Sequence, residues 1–168
     1  MLLLFSFLLT PKLKFVSPLA KPEDHERGYI AGVRHYFLTV FLLVLIFGYL
    51  NASFVGLAGW LALAWGDGAA GIVGRRDSAK LPWSRRKTIV GFFSCIIFTF
   101  LAIWLCYIWL FWETGFATLL KPSLLLMFGA TAFLVAILES IDLPIDDNYV
   151  VGLGTAFLLF ILFPTWPI

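Results

Sequence analysis

Residues 36–66 carry no charge at all, and residues 88–112 repeat the feature over twenty-five positions. A water-facing helix must present polar residues on one side at the 3.6-residue period. Neither run does so. About 20 apolar residues cross a bilayer as one helix, because every backbone N–H and C=O is then satisfied internally. The first run is too long for one crossing and has turn chemistry, Asn51–Ala52–Ser53, near its middle. It divides into helices over 29–50 and 54–74, and residues 88–112 give the clearest span. Residues 122–138 give a fourth, with Pro122 at a tolerated first-turn position, and residues 149–168 a fifth. Composition agrees: 61% of the 168 residues are hydrophobic and 13% charged, whereas a soluble domain is nearer a quarter charged.

The expected fold is therefore all-α, a polytopic transmembrane helical bundle of about five spans in a single membrane domain, 1–168. Residues 1–28 form an N-terminal segment and polar loop, and 29–168 the helical core. Residues 1–10 are apolar but too short to span. They lack the basic start of a signal peptide and the Arg- and Ser-rich character of a transit peptide, so an interfacial segment or the remnant of a helix whose beginning is missing is expected. Cys95 and Cys106 sit about three turns apart in one run, roughly 16 Å by helix rise, and cannot bridge within a straight helix. They read as thiols of the core or the lipid face. Asn51–Ala52–Ser53 is also a glycosylation sequon, but a turn so tight against the bilayer argues against its use.

Alternating spans place the loops 11–35, 75–87 and 139–148 on one face of the membrane. That face holds every basic residue except Lys121 and every acid except Glu113. The positive-inside rule makes it cytoplasmic, or the organellar equivalent. Positive-inside topology alone does not call for the acidic stretch Glu139, Asp142, Asp146, Asp147 on the same side.

Asp67 is the most pointed residue. An ionisable group inside a membrane segment costs about 2.5–3.5 kcal/mol on insertion scales, which makes it a functional candidate by default. Gly66 and Gly68 leave the backbone open to a ligand, and a magnesium ion held by one or two carboxylates plus substrate phosphates suits such a setting. Gly74, Arg75 and Arg76 follow, then Lys80, Arg85, Arg86 and Lys87. Arginine grips phosphate oxygens bidentately, lysine acts as a point charge, and Lys87–Thr88 opens a helix whose free N–H groups favour an anion. The rival explanation for the bases is ordinary positive-inside charge. For the acids it is a charge lattice. The functional reading is a second carboxylate source for metal, with one acid accepting a proton from a hydroxyl. No P-loop, HExxH, GxSxG or Cys/His metal spacing occurs. His25 and His35 read as isolated interfacial residues.

These motifs, in order, resemble the phytol kinase/dolichol kinase family of polyprenol kinases, and the phytol kinase branch above all. The resemblance rests on Gly66-Asp67-Gly68, Gly74-Arg75-Arg76, Lys80-Leu81-Pro82, Lys87-Thr88 with Gly91, and Glu139-Ser140 followed by Asp146-Asp147-Asn148. The segment 26–36, ERGYIAGVRHY, adds to it. It implies a membrane kinase transferring the terminal phosphate of a nucleoside triphosphate, typically CTP or UTP, to an isoprenoid alcohol, with membrane lipid as its setting and no nucleic-acid partner. On this reading Asp67 and Asp147 hold Mg2+. Gly66, Gly68, Gly74, Arg75, Arg76, Lys80, Lys87 and Thr88 bind the phosphates. Asp147, Asp146 and Glu139 are the alternatives for the base, with Asn148 beside them. Family members carry further N-terminal helices with an Arg-Lys and His pattern not found here, so the resemblance implies either a shortened chain or reliance on another subunit. Two rivals follow: CTP-dependent cytidylyltransferase or diacylglycerol kinase chemistry, and a non-catalytic membrane subunit or inactive fragment.

Overall fold

The computed structural model describes residues 29–75, 79–115, 120–141 and 143–162, together with Lys12 and Glu26. Among the described residues five helices make up the bundle: α1 (Ala31–Tyr49), α2 (Ser53–Gly74), α3 (Ile89–Phe111), α4 (Pro122–Ser140) and α5 (Asp147–Leu162). Helices α2, α3, α4 and α5 close a ring, each packed on the next, and α1 lies against α2 and α5.

Four of the five are long and apolar enough to cross a membrane. The fifth is apolar but has 16 residues, which at the helical rise makes about 24 Å against a hydrocarbon core of about 30 Å. The expected count of five spans is thus four plus one shorter apolar helix, and residues 163–168 of the fifth lie outside the described residues, as does nearly all of 1–28.

Local chemistry explains the boundaries. Between α1 and α2, Asn51 adopts a left-handed φ of 53°, which asparagine tolerates better than most side chains. The Ala52 N–H returns to the Phe47 carbonyl at 2.8 Å and the Asn51 N–H to Gly48 at 3.2 Å, the paired bonds of a Schellman helix stop. Thr88 caps α3, its hydroxyl accepting the Gly91 N–H at 3.2 Å. Pro122 occupies the first turn of α4, where its missing N–H costs nothing. Asp146 caps α5 by accepting the Asn148 N–H at 3.0 Å.

The core is built twice over. At one end Phe47, Phe54, Tyr107, Phe128 and Leu159 interlock, with the Phe54 and Tyr107 rings edge-to-face at 5.7 Å. In the middle, small residues let backbones approach. A methyl built on Gly59 would lie 2.7 Å from the Gly152 carbonyl, and one on Gly152 would lie 2.7 Å from the Thr39 methyl. Such small-residue seams suit helices in lipid, where no hydrophobic force separates helix from solvent and close van der Waals contact must hold the bundle. Large side chains such as Val44, Ile97, Leu126 and Ile161 face outward, as a lipid-embedded surface requires. Cys95 and Cys106 are free thiols, both buried in the core.

Candidate active site

Because the spans alternate in direction, the ends of α2 and α4 meet the beginnings of α1, α3 and α5 at one end of the bundle. The chemistry collects there. Near the end of α2 the helix widens into a π-helical stretch, Leu63–Asp67, before resuming its α form at Gly68. Such widenings recur at functional sites because they shift the helical phase locally. From that point Asp67, Ala70, Gly71 and Gly74 share one face at the i, i+3, i+4, i+7 spacing, and all four line a cavity of about 380 Å³.

Three carboxylates converge on it. Asp67 comes from α2, Glu139 from the last turn of α4 and Asp147 from the first turn of α5, and one ligand atom from each lies within 4.8 Å of the others. Glu139 was expected in a loop; it is helical because α4 continues two residues beyond 138, to Ser140. Its side chain is 4% exposed against 46% for Asp147. Lys87 binds both: its Nζ donates to Glu139 and, at 2.7 Å, to Asp147. Burial alone would pull the Lys87 ammonium down, but the charge of Glu139 and the hydrogen bonds to Asp147 and Glu139 outweigh it and leave it above the ordinary lysine value.

The basic loop is folded to deliver that lysine. Leu81–Ser84 is a tight turn with Pro82 at its second position, the Ser84 N–H meeting the Leu81 carbonyl at 3.3 Å. Ser84 Oγ accepts the N–H groups of Arg86 and Lys87 at 3.3 and 3.1 Å, and Lys80 pairs with Thr88 through an antiparallel bridge. Trp83 Nε1 donates to Ser140 Oγ at 2.9 Å, fastening the loop to the end of α4. Lys80, Arg86 and Lys87 therefore line the cavity with Arg75, whose Nε donates to the Gly71 carbonyl at 2.7 Å.

The structure brings together Asp67, Gly74, Arg75, Lys80, Lys87, Thr88, Glu139 and Asp147 around this space. Arg76 lies outside the described residues. Gly68 has nothing within 4 Å of an added methyl, but it does not line the cavity. Gly66 is not open: a methyl there would land on the Thr99 hydroxyl, so its bareness serves the α2–α3 contact. The Thr88 hydroxyl reaches the Gly74 carbonyl at 3.4 Å while capping Gly91, so one N–H of that helix start is already occupied.

Asp146 turns away from the trio. One of its oxygens accepts His35 Nδ1–H at 2.8 Å and the other accepts the Asn148 backbone and side-chain amides. Burial pushes this carboxyl up, but the hydrogen bonds from His35 and Asn148 and the His35 charge prevail, holding it below the usual aspartate value. His35 is thus not isolated, contrary to its reading from sequence. Neither this pair, 111 residues apart, nor the selection of Arg86 over Arg85 for the cavity leaves a local sequence signal.

The sequence is similar to curated plant proteins. It is 33% identical over 156 residues to "Probable phytol kinase, chloroplastic" of Zea mays, covering 90% of this chain and 48% of that one. It is 33% identical over 156 residues to "Probable phytol kinase 1, chloroplastic" of Oryza sativa subsp. japonica, covering 90% and 47%. With "Farnesol kinase, chloroplastic" of Arabidopsis thaliana it shares 30% over 141 residues, covering 82% and 45%. The chain spans about half the length of the curated relatives it matches. No family model matches it, and no solved structure does.

Proposed function

From a chain that belongs to the phytol kinase-like family, we propose a membrane kinase that transfers the terminal phosphate of a nucleoside triphosphate, CTP or UTP, to an isoprenoid alcohol such as phytol. The observation that carries this reading is the convergence of Asp67, Glu139 and Asp147 with Arg75, Lys80, Arg86 and Lys87 in one cavity at the end of an otherwise apolar bundle. Acids and bases in such density serve a ligand that is itself a polyanion with a cation.

Three hard oxygen donors at this separation fit a divalent cation of the Mg2+ type, which takes one or two carboxylates and completes its shell with phosphate oxygens and water. Asp67 and Asp147 are the residues that would hold it. When bound, it neutralises charge on the triphosphate. The remaining work belongs to the chain. Arg75 and Arg86 grip phosphate oxygens through planar forks, with Arg76 assigned the same role, and Lys80 adds a point charge. Gly71 keeps the cavity side of α2 bare, so phosphate can approach the backbone there, whereas Gly74 is packed against Thr88 and Gly91.

The alcohol oxygen bonds to the terminal phosphorus as the bond to the bridging oxygen breaks, and the nucleoside diphosphate leaves. The hydroxyl proton passes to a carboxylate of the trio. Lys87 bonds both Glu139 and Asp147; Asp147 is nearly half exposed and Glu139 buried, so Asp147 is the more accessible to a substrate. Ala70 and Phe92 give the cavity an apolar wall, beside which the hydrocarbon of the acceptor can pass into the bilayer. The site-bearing loops then lie on the cytoplasmic face or its organellar equivalent.

The test uses the full chain in membranes with labelled CTP, UTP or ATP and a panel of phytol, geranylgeraniol, farnesol and dolichol. Phosphorylated alcohol with release of nucleoside diphosphate supports the kinase. Pyrophosphate release would identify nucleotidyl transfer instead, and full activity in Asp67→Asn would sink the site.

A further inference from the structure

His35 lies outside the cavity lining, yet it is tied to the residue beside Asp147. We propose that His35 is a positioning residue: through Asp146 it fixes the start of α5 so that the Asp147 carboxylate stays in the trio. The inference rests on the reading of Asp67, Glu139 and Asp147 as a divalent-cation site.

Three carboxylates within 4.8 Å repel one another. Asp67 and Glu139 sit within or at the end of long packed helices, whereas Asp147 opens α5 after a connection whose residues Leu143, Pro144 and Ile145 are all exposed. Among its described residues that connection offers no buried anchor, so the start of α5 is held from elsewhere. Lys87 supplies one on the cavity side. A cation entering the trio competes with Lys87 for Asp147, which leaves the other side to hold the helix.

On that other side stands α1. His35 Nδ1 donates to Asp146 Oδ2 at 2.8 Å, and Asp146 Oδ1 accepts the Asn148 N–H at 3.0 Å, so one carboxylate joins the cap of α5 to α1. The His35 ring also packs against Tyr149 at 5.4 Å. The register of the two helices is fixed one turn further in, where Thr39 is fully buried and its methyl fills the space above Gly152. The Thr39 hydroxyl in turn donates to the His35 carbonyl at 2.8 Å. The histidine is therefore presented to Asp146 from a seated helix rather than from a loose surface turn. This gives α1, which lies outside the four-helix ring, a part in the site.

The experiment measures Mn2+ binding to the purified full chain in detergent by electron paramagnetic resonance, without nucleotide. His35→Leu is expected to weaken binding roughly 10- to 100-fold, the range for partners that orient metal ligands. His35→Asn, whose amide nitrogen takes the place of Nδ1, should stay near the parent. Asp146→Asn keeps the helix cap but weakens the tie, and combined with His35→Leu should cost less than the sum of the two. In the kinase assay His35→Leu should raise the metal concentration for half-maximal rate and leave the rate at saturating metal within about twofold, a split that general loss of structure does not produce. Parent-like Mn2+ binding in His35→Leu, while Asp67→Asn binds weakly, overturns the inference and leaves the cation site standing. No Mn2+ binding by the parent overturns the cation site itself. Should His35→Leu fail to fold, Asp146→Asn carries the test with the same two outcomes.

Discussion

Replacing Lys87 by methionine separates electrostatics from packing at the centre of the site. Methionine keeps most of the aliphatic stem and removes the ammonium that binds Glu139 and Asp147. The two carboxylates respond differently. Asp147 is 46% exposed and can be rehydrated, so its share is worth no more than about 1 kcal/mol, as for a surface pair. Glu139 is 4% exposed and is left as a buried charge with its cation gone. Breaking a buried pair from one side costs about 3–5 kcal/mol, and Lys87, itself 21% exposed, places this case at the lower end. About 3 kcal/mol is a more than hundredfold change in the folding equilibrium, at tenfold per 1.4 kcal/mol. The assay is reversible unfolding in mixed detergent–SDS micelles without divalent cations. Adding Mg2+ should restore more stability to Lys87→Met than to the parent, because ligand binding to the folded state stabilises it. The double variant Lys87→Met with Glu139→Met should recover most of the loss, since the buried charge leaves with its partner. A single variant as stable as the parent, or a double no better than the single, refutes the reasoning.

Other perturbations have sharp expectations. Gly59→Ala should destabilise by about 1–3 kcal/mol through overpacking against α5, whereas Gly68→Ala, with open space around it, should be neutral or stabilising in the same unfolding assay. Arg86→Ala should raise the nucleotide KM by roughly tenfold or more, the value of a charged hydrogen bond, while Arg85→Ala, outside the cavity lining, should change it by less than about twofold; equal effects would mean that only net charge matters. Arg85→Cys and Glu113→Cys should react with an impermeant maleimide from opposite sides of sealed membranes, while the native Cys95 and Cys106, both buried, stay unlabelled from either side.

The sequence by itself determined the spans. Uncharged runs and their breakers located four helices to within about two residues at each end and the start of the fifth, since burying an unsatisfied backbone or a charge in lipid costs enough to be written into local composition. Asn51 stops α1 and Pro122 starts α4 through their own backbone preferences, which need no partner. Strict alternation of spans then put Asp67, the basic loop and the acids on one side. The structure alone decided which of those charges meet. Glu139 joins the trio because α4 runs on to Ser140, Lys87 because a turn at Pro82–Trp83 and a bond from Trp83 to Ser140 aim it inward, and Arg86 rather than Arg85 because of the same turn. Asp146 and Asp147 are neighbours in sequence but point apart, one to α1 and one to the cavity. Local preference fixes where a helix begins. Where its side chains point depends on how neighbouring helices rotate and cross, and that is settled by contacts such as Gly59 on Gly152 and Thr39 on Gly152 between residues far apart in the chain.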